Sequence, residues 1–481
     1  MLFNSLEFLI FFIVTTTLYF VIPHRFRWAL LLIASIIFYM SLIPIYILIM
    51  GLVITVDYLA AIYIEKTPEK KEKKIFFSIS IVTTILILFI FKYFNFFNAN
   101  FAKLAGVLHW NYSIAALSLL LPIGLSFHTF QSLSYVTEVY RGKQKAEKNF
   151  GIYSLYVMFY PQLVAGPIER PQNLLHQFYE EHRFNYNDFV VGLKLMVWGF
   201  FMKVVIADRL AIVVNTVYNN PTNYTGIPLI VATVFFAFQI FCDFAGYSTI
   251  AIGIARAMGF RLMKNFNRPY FSKSIQEFWR RWHISLSTWF KDYIYIPLGG
   301  NRVSVTRMYS NLFIISLVSG LWHGANWTFI IWGALNGFYL AFSSMTKNFR
   351  AKSIQILRID KIPVFYSMMQ IGVTFILINI GWIFFRANSL DDAWYIITHI
   401  HIINGINDSI MSLGLRRLEL LIAVISITFM IFVHILQENK SIMSYFSRKP
   451  RWAKWTIYII FINLILSFGV FNYTQFIYFQ F

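Results

Sequence analysis

Apolar stretches long enough to approach or cross a hydrocarbon layer about 30 Å thick recur along the chain at about 6–22, 29–43, 45–64, 75–92, 112–135, 188–206, 226–255, 311–343, 364–385, 415–437 and 455–480. In lipid every backbone N–H and C=O must be satisfied inside the protein, so continuous apolar runs of this length can only be helices. Hydrophobic residues make up 58% of the chain and charged ones 13%, about half the charged share of a soluble domain. The expected fold class is therefore an all-α polytopic membrane protein with about 10–13 transmembrane and re-entrant segments. No internal repeat, low-complexity tract or linker divides residues 1–481, which read as a single membrane-embedded domain.

The formal net charge is +20, and its placement matters more than its size. Basic residues cluster at 25–27, 66–74, 141–148, 347–361 and 448–454. By the positive-inside rule these loops face the cytoplasm, which puts the N-terminus, 93–112, 387–414 and the C-terminal end outside. Dispersal of the charge between spans argues against a nucleic-acid partner. No cleavable signal is expected: the first six residues carry no Lys or Arg, and no small-residue cleavage site follows Phe20. The single cysteine, Cys242, excludes an intrachain disulfide and any cysteine-rich metal site. Absence of Walker or dinucleotide glycine patterns argues against coupling to a nucleotide.

Against this background an intramembrane histidine needs a reason, because ionisable groups at bilayer depth mark functional sites by default. His323 lies in Ser319-Gly320-Leu321-Trp322-His323-Gly324-Ala325-Asn326-Trp327. Gly320 and Gly324 share a helix face and admit close approach of another backbone or a ligand, and the tryptophans supply flat walls and indole donors. The run 276–293 has apolar residues at 279, 282, 286, 289, 290 and 293, which predicts one amphipathic, interfacial helix. His283 falls on or beside its aromatic stripe, with Arg280, Arg281 and Lys291 off it.

Two inward histidines, a buried carboxylate candidate at Asp243 and the basic cluster suit a site that holds a phosphate-bearing substrate and moves a proton. Acyl transfer from a coenzyme A thioester to a hydroxyl requires both. In this reading His323 is the base, and His283 or Trp322 orients or stabilises. The candidate substrate or tunnel residues are Asp243, Tyr247, Trp279, Arg280, Arg281, Trp282, Trp322, Asn326 and His128. Two isolated histidines make no metal-ligand signature, so neither a metal nor a bound cofactor is expected. The lone Cys242 lacks an evident base and is a poor nucleophile candidate.

Four ordered blocks carry a resemblance: Tyr160-Pro161-Gln162-Leu163-Val164-Ala165-Gly166-Pro167-Ile168-Glu169-Arg170, then Asp243-Phe244-Ala245-Gly246-Tyr247-Ser248, then the stretch from Glu277-Phe278-Trp279-Arg280-Arg281-Trp282-His283 to Trp289, and Gly320-Leu321-Trp322-His323-Gly324. Over nearly its whole length the chain resembles the membrane-bound O-acyltransferase (MBOAT) family, in the bacterial AlgI-like branch concerned with alginate biosynthesis and polysaccharide O-acetylation. The resemblance implies a ring of tilted helices around a central funnel, with the family histidine on His323 and its second polar residue on His283. It also implies a multi-pass protein of the bacterial cytoplasmic membrane, among membrane lipid. Its acyl donor would be cytoplasmic acetyl-CoA, its acceptor an extracytoplasmic polysaccharide, and an accessory acetyltransferase protein would complete the transfer.

The chain departs from the branch pattern at Thr249, Glu138 and Asn336, where many relatives carry an acidic residue, an Asp and a His; this bears on substrate choice. Asp57 reads as a structural hydrogen-bonding carboxylate, and His128 as a cavity-lining candidate. Pro161, Gly166 and Pro167 predict a broken, re-entrant segment. His399 and His401 are expected in a solvated outside loop. A lipid or protein hydroxyl as acceptor, or a non-enzymatic transporter, are the alternative functions; the latter lacks the repeated halves typical of transporters.

Overall fold

The computed structural model describes residues 1–41, 43–122, 124–163, 166–402, 413–439, 449–471 and 476–477. All regular structure among them is helical. Among the described residues seven helices are long and apolar enough to cross a membrane: Pro44–Lys66, Lys70–Val107, Tyr186–Tyr218, Ile227–Ala257, Trp327–Met345, Pro363–Arg386 and Arg417–Gln437.

The first four helices are α1 (Leu6–Val21), α2 (His24–Met40), α3 (Ile47–Lys66) and α4 (Lys70–Leu88). A π turn at Phe89–Tyr93 joins α4 to α5 (Phe94–Val107). The apolar run continues through this turn, so the helix extends well into the 93–112 stretch expected as an outside loop.

The predicted span at 112–135 is helical only from Leu125, where α6 (Leu125–Tyr140) begins. Pro122 and Gly124 set this boundary. Gly124 has φ +79°, a left-handed conformation, and an added Cβ would lie 3.0 Å from the Leu163 carbonyl. Next come α7 (Phe150–Met158) and the short α8 (Tyr160–Leu163). Residues 160–163 and 166–169 are buried, in keeping with a broken segment enclosed by protein rather than lipid. Residues 164–165 lie outside the described set.

The central element is α12 (Ile227–Ala257), packed along α10 (Tyr186–Phe200) and α11 (Asp208–Tyr218); a second π turn, Phe201–Ala207, joins those two. The short α9 (Pro171–Leu174) precedes α10. The predicted single helix at 276–293 is instead two, α13 (Ile275–Arg281) and α14 (Ile284–Phe290), broken at Trp282 and His283. Hydrophobic spacing cannot register the break, because both pieces turn their apolar sides to the same interior.

Residues 311–343 divide into α15 (Val305–His323) and α16 (Trp327–Met345), which pack against one another. Gly324 leaves the helix with φ −164°, and Asn326 caps α16 by accepting from Thr328 N at 3.1 Å. A Cβ at Gly320 would lie 2.3 Å from the Phe329 carbonyl, and one at Gly333 would lie 2.5 Å from that of Ser316. These are backbone atoms and cannot swing aside. Gly320→Ala is therefore expected to cost about 1–3 kcal/mol through overpacking, seen as a lower melting midpoint of the purified protein.

The chain continues through α17 (Lys347–Ile356), α18 (Pro363–Arg386) and α19 (Leu390–His399) to Arg417–Asn439 and Arg451–Phe468. The 387–414 stretch expected as a loop thus contains a helix. His399 is tied in through its carbonyl, which accepts from Gly226 N at 3.0 Å, while His401 is exposed. The expected span at 455–480 ends at Phe468, after which Val470 N donates to the Val204 carbonyl at 2.8 Å.

The basic 141–148 loop meets the start of α2 and the end of α3. His24 Nε2 lies 3.2 Å from the Tyr179 carbonyl, Tyr179 Oη donates to Glu147 at 2.6 Å, and Ala146 N donates to Glu65 at 3.1 Å. Trp327 donates to Asn100 of α5 at 2.9 Å, and Asn326 to the Asn388 carbonyl at 3.4 Å, which ties the start of α16 to α5 and to the segment after α18.

Candidate active site

His323 is the last residue of α15 and only 4% exposed. Its ring sits among the aromatic rings of Trp322, Trp332 and Phe385, at centroid distances of 4.8, 4.9 and 5.1 Å. The abrupt end of α15 at Gly324 places it there: a helix continued through 324–326 would leave no corner for α16 to pack back.

His283 lies at the break between α13 and α14 with φ 41° and ψ 57°. For a non-glycine residue this left-handed conformation costs of order 1–3 kcal/mol and persists only where the surroundings over-determine it. Asn265 is what holds it. Its backbone carbonyl accepts from Ile284 N at 2.8 Å. Its Oδ1 accepts from Ser285 N at 3.3 Å and Ser285 Oγ at 2.9 Å, and lies 3.1 Å from His283 Nδ1. Its Nδ2 donates to Ser248 Oγ at 3.0 Å.

This network assigns the imidazole tautomer. A backbone N–H can only donate, so the Asn265 atom facing Ser285 N is an acceptor, and His283 Nδ1 must carry the hydrogen. In the neutral ring Nε2 then bears the lone pair. That atom is buried and has no hydrogen-bond partner among the described residues. Removing the anchor with Asn265→Ala is expected to leave several buried polar groups unpaired, at about 1–3 kcal/mol, read as a lower melting midpoint.

Trp322 joins the two histidines. Its indole is 4.8 Å from the His323 ring and 6.4 Å from that of His283. It also stacks on Phe130 at 5.1 Å, and Phe127 meets it edge-on at 5.6 Å. The Trp322 indole N–H is buried without an acceptor among the described residues. The Phe244 ring closes on His283 at 4.5 Å. The cluster thus brings two imidazoles and one indole N–H together among aromatic rings, a low-dielectric setting in which proton transfer and hydrogen bonding to developing charge are strong.

The profile of the membrane-bound O-acyltransferase family matches residues 148–382, which include both histidines. The chain is 39% identical over 405 residues to the "Probable alginate O-acetylase AlgI" of Azotobacter vinelandii, covering 82% of this chain and 77% of that one. The chain belongs to the membrane-bound O-acyltransferase family. Two further MBOAT relatives are similar to it. The "Peptidoglycan O-acetyltransferase" of Helicobacter pylori is 34% identical over 384 residues, 74% of this chain and 70% of that one. The "Teichoic acid D-alanyltransferase" of Streptococcus thermophilus is 29% identical over 306 residues, 58% and 71% respectively. The chain is an O-acyltransferase embedded in a membrane.

The structure of this MBOAT protein groups some of the residues singled out by sequence and separates others. His323, His283 and Trp322 come together. Trp279 joins them through Trp332 at 5.6 Å, and Trp282 packs on Trp382 at 5.1 Å, which in turn stacks on Trp332 at 6.1 Å. Asn326 serves as a helix cap. His128 turns toward Tyr39 at 6.1 Å, away from the neighbouring Phe127 that meets His283. Arg280 is exposed, and Arg281 is occupied by Glu277 at 2.6 Å.

Asp243 is buried in an ion pair. Lys203 Nζ lies 2.8 Å from it and 2.8 Å from Asp208, while its other oxygen accepts from Ile477 N at 2.8 Å. Tyr247 lies under the same Lys203 at 5.4 Å and stacks with Phe3 at 5.5 Å. Asp57 accepts from Ser80 at 2.6 Å and Thr84 at 3.3 Å. Asn265 and Lys203 went unassigned from sequence. Asn265 stands in the polar Asn265-Phe266-Asn267-Arg268-Pro269 stretch between two apolar runs, and Lys203 is a lysine inside an apolar run; these were the available signals.

Proposed function

We propose that this chain moves an acetyl group from cytoplasmic acetyl-CoA across the membrane to hydroxyls of an exported or cell-wall polysaccharide, with an accessory acetyltransferase completing the transfer. The observation that carries this reading is the pair of buried imidazoles on one indole, with His283 Nε2 held as an acceptor. His323 takes the proton from the attacking hydroxyl as its oxygen bonds to the thioester carbonyl carbon. The Trp322 indole N–H donates to the oxyanion that forms. Collapse breaks the C–S bond, and His323 returns the proton to the departing thiolate. His283 Nε2 accepts a hydrogen bond from substrate and fixes its pose.

Support for a polysaccharide acceptor comes from the relatives named as alginate O-acetylase and peptidoglycan O-acetyltransferase. The positive-inside rule supports a cytoplasmic side for the basic loops, and with it the donor side, of a protein in a bacterial cytoplasmic membrane.

The test is transfer of radiolabelled acetyl from acetyl-CoA by protein in sealed vesicles, with alginate, peptidoglycan fragments, lysolipid or no acceptor inside. Label on the enclosed glycan is the expected result. Label only on lysolipid would move the acceptor to lipid, and no use of acetyl-CoA with or without accessory protein would overturn the donor assignment.

A further inference from the structure

Lys92 stands at the centre of the long helical segment Lys70–Val107, in the π turn Phe89–Tyr93. A lysine at this depth is costly unless its ammonium is engaged. Its Nζ donates to the Trp322 carbonyl at 2.7 Å and to the His323 carbonyl at 3.0 Å, 230 and 231 residues away in sequence. It also lies 5.8 Å from the Trp322 ring centroid. No carboxylate pairs with it among the described residues.

These carbonyls belong to the final turn of α15, whose last C=O groups have no partner in their own helix. The chain turns to extended backbone at Gly324, so no continued helix supplies one. A cation at a helix C-terminus is also favoured by the helix dipole. The π turn re-aims the side chain by adding a residue to one helical turn; such bulges recur at functional sites.

We propose that Lys92 is a positioning residue for acyl transfer, its ammonium clamping the last carbonyls of α15 so that the His323 imidazole and the Trp322 indole keep their reacting orientation. This rests on the reading of His323 as the base. Lys92 itself touches no reacting atom. Misplacement of a catalytic group by about 1 Å can cost about a hundredfold, so loss of the clamp appears in turnover rather than in donor binding.

The test compares wild type, Lys92→Met, Lys92→Gln, Lys92→Arg and His323→Ala in nanodiscs by two readouts. The first is turnover and KM with acetyl-CoA in the presence of alginate. The second is the rate at which diethyl pyrocarbonate modifies His323, followed by mass spectrometry with His283 as the internal reference; it needs no substrate. Lys92→Met is expected to lower kcat about ten- to a hundredfold at unchanged donor KM. It should also make His323 react several-fold faster relative to His283, and Lys92→Arg should restore both. If Lys92→Met does not fold, Lys92→Gln, which keeps one donor, is expected to fall between the two. Unchanged His323 labelling, or a lowered melting midpoint with unchanged kcat per folded molecule, would overturn the clamp. Wild-type turnover in His323→Ala would instead overturn the catalytic reading, while the labelling comparison still reports on Lys92.

Discussion

His323→Ala is expected to lower acyl transfer by about 10²–10⁴-fold, the range a positioned general base contributes, in protein that remains folded and inserted. The imidazole is enclosed by Trp322, Trp332 and Phe385, so alanine leaves a cavity as well as removing the base. His323→Gln separates the two effects: it fills most of the volume and keeps polar atoms but cannot shuttle a proton at neutral pH. Both variants should show this loss, with His323→Gln the more stable. The measurement is initial rate of acyl transfer beside a thermal unfolding curve for each protein. Activity within a few-fold of wild type in either variant would remove His323 from the reaction, and the base would then have to be sought at His283, whose Nε2 is a buried acceptor beside Trp322.

The second large effect falls on stability. Lys203→Met takes away the cation that lies 2.8 Å from both Asp208 and Asp243. Lys203, Asp208 and Asp243 are all buried, and breaking a buried ion network by removing one partner typically costs about 3–5 kcal/mol because the remaining charge has no compensation. Against a total stability of about 5–15 kcal/mol for folded proteins, this is enough to prevent accumulation or to lower the melting midpoint strongly. Asp243→Asn should be milder, because an amide oxygen can still accept from Ile477 N, which donates to Asp243 at 2.8 Å. Cys242 provides the probe: it is the sole cysteine and is buried, so its reaction with a thiol-reactive fluorophore reports opening of the fold. Lys203→Met protein whose Cys242 stays as protected as in wild type would show that the network contributes little.

The same network explains why Asp243 was harder to place than His323. From the chain alone an intramembrane carboxylate is either a functional group or half of an ion pair. Its partner is 40 positions earlier, on a π turn that no periodicity announces. Arg281 is a similar case, held by Glu277 one helical turn away. His283, by contrast, was legible as an inward group, but its left-handed backbone and its Asn265 anchor were not. The apolar spacing of 276–293 runs through the break without interruption, and the hydrogen bonds that pin the ring come from a segment 18 residues upstream. Lys92 was hidden by its position at the end of an apparent span, where a lysine ordinarily snorkels to the interface.

What the amino-acid sequence determined by itself is the helical, membrane-embedded class, the family and the identity of the two histidines. Hydrocarbon forces apolar segments to satisfy their backbone groups internally, so composition and run length decide secondary structure almost without reference to tertiary contacts. Ordered blocks such as Gly320-Leu321-Trp322-His323-Gly324 decide the family. Only the tertiary structure decided which polar side chains remain available for chemistry. In an apolar interior each such group is either matched or left open, and the match is made by segments well separated along the chain: Lys203 with Asp243, Asn265 with His283, Lys92 with the end of α15. Helix spacing shows which face a residue takes, but a partner is fixed by the packing of whole helices.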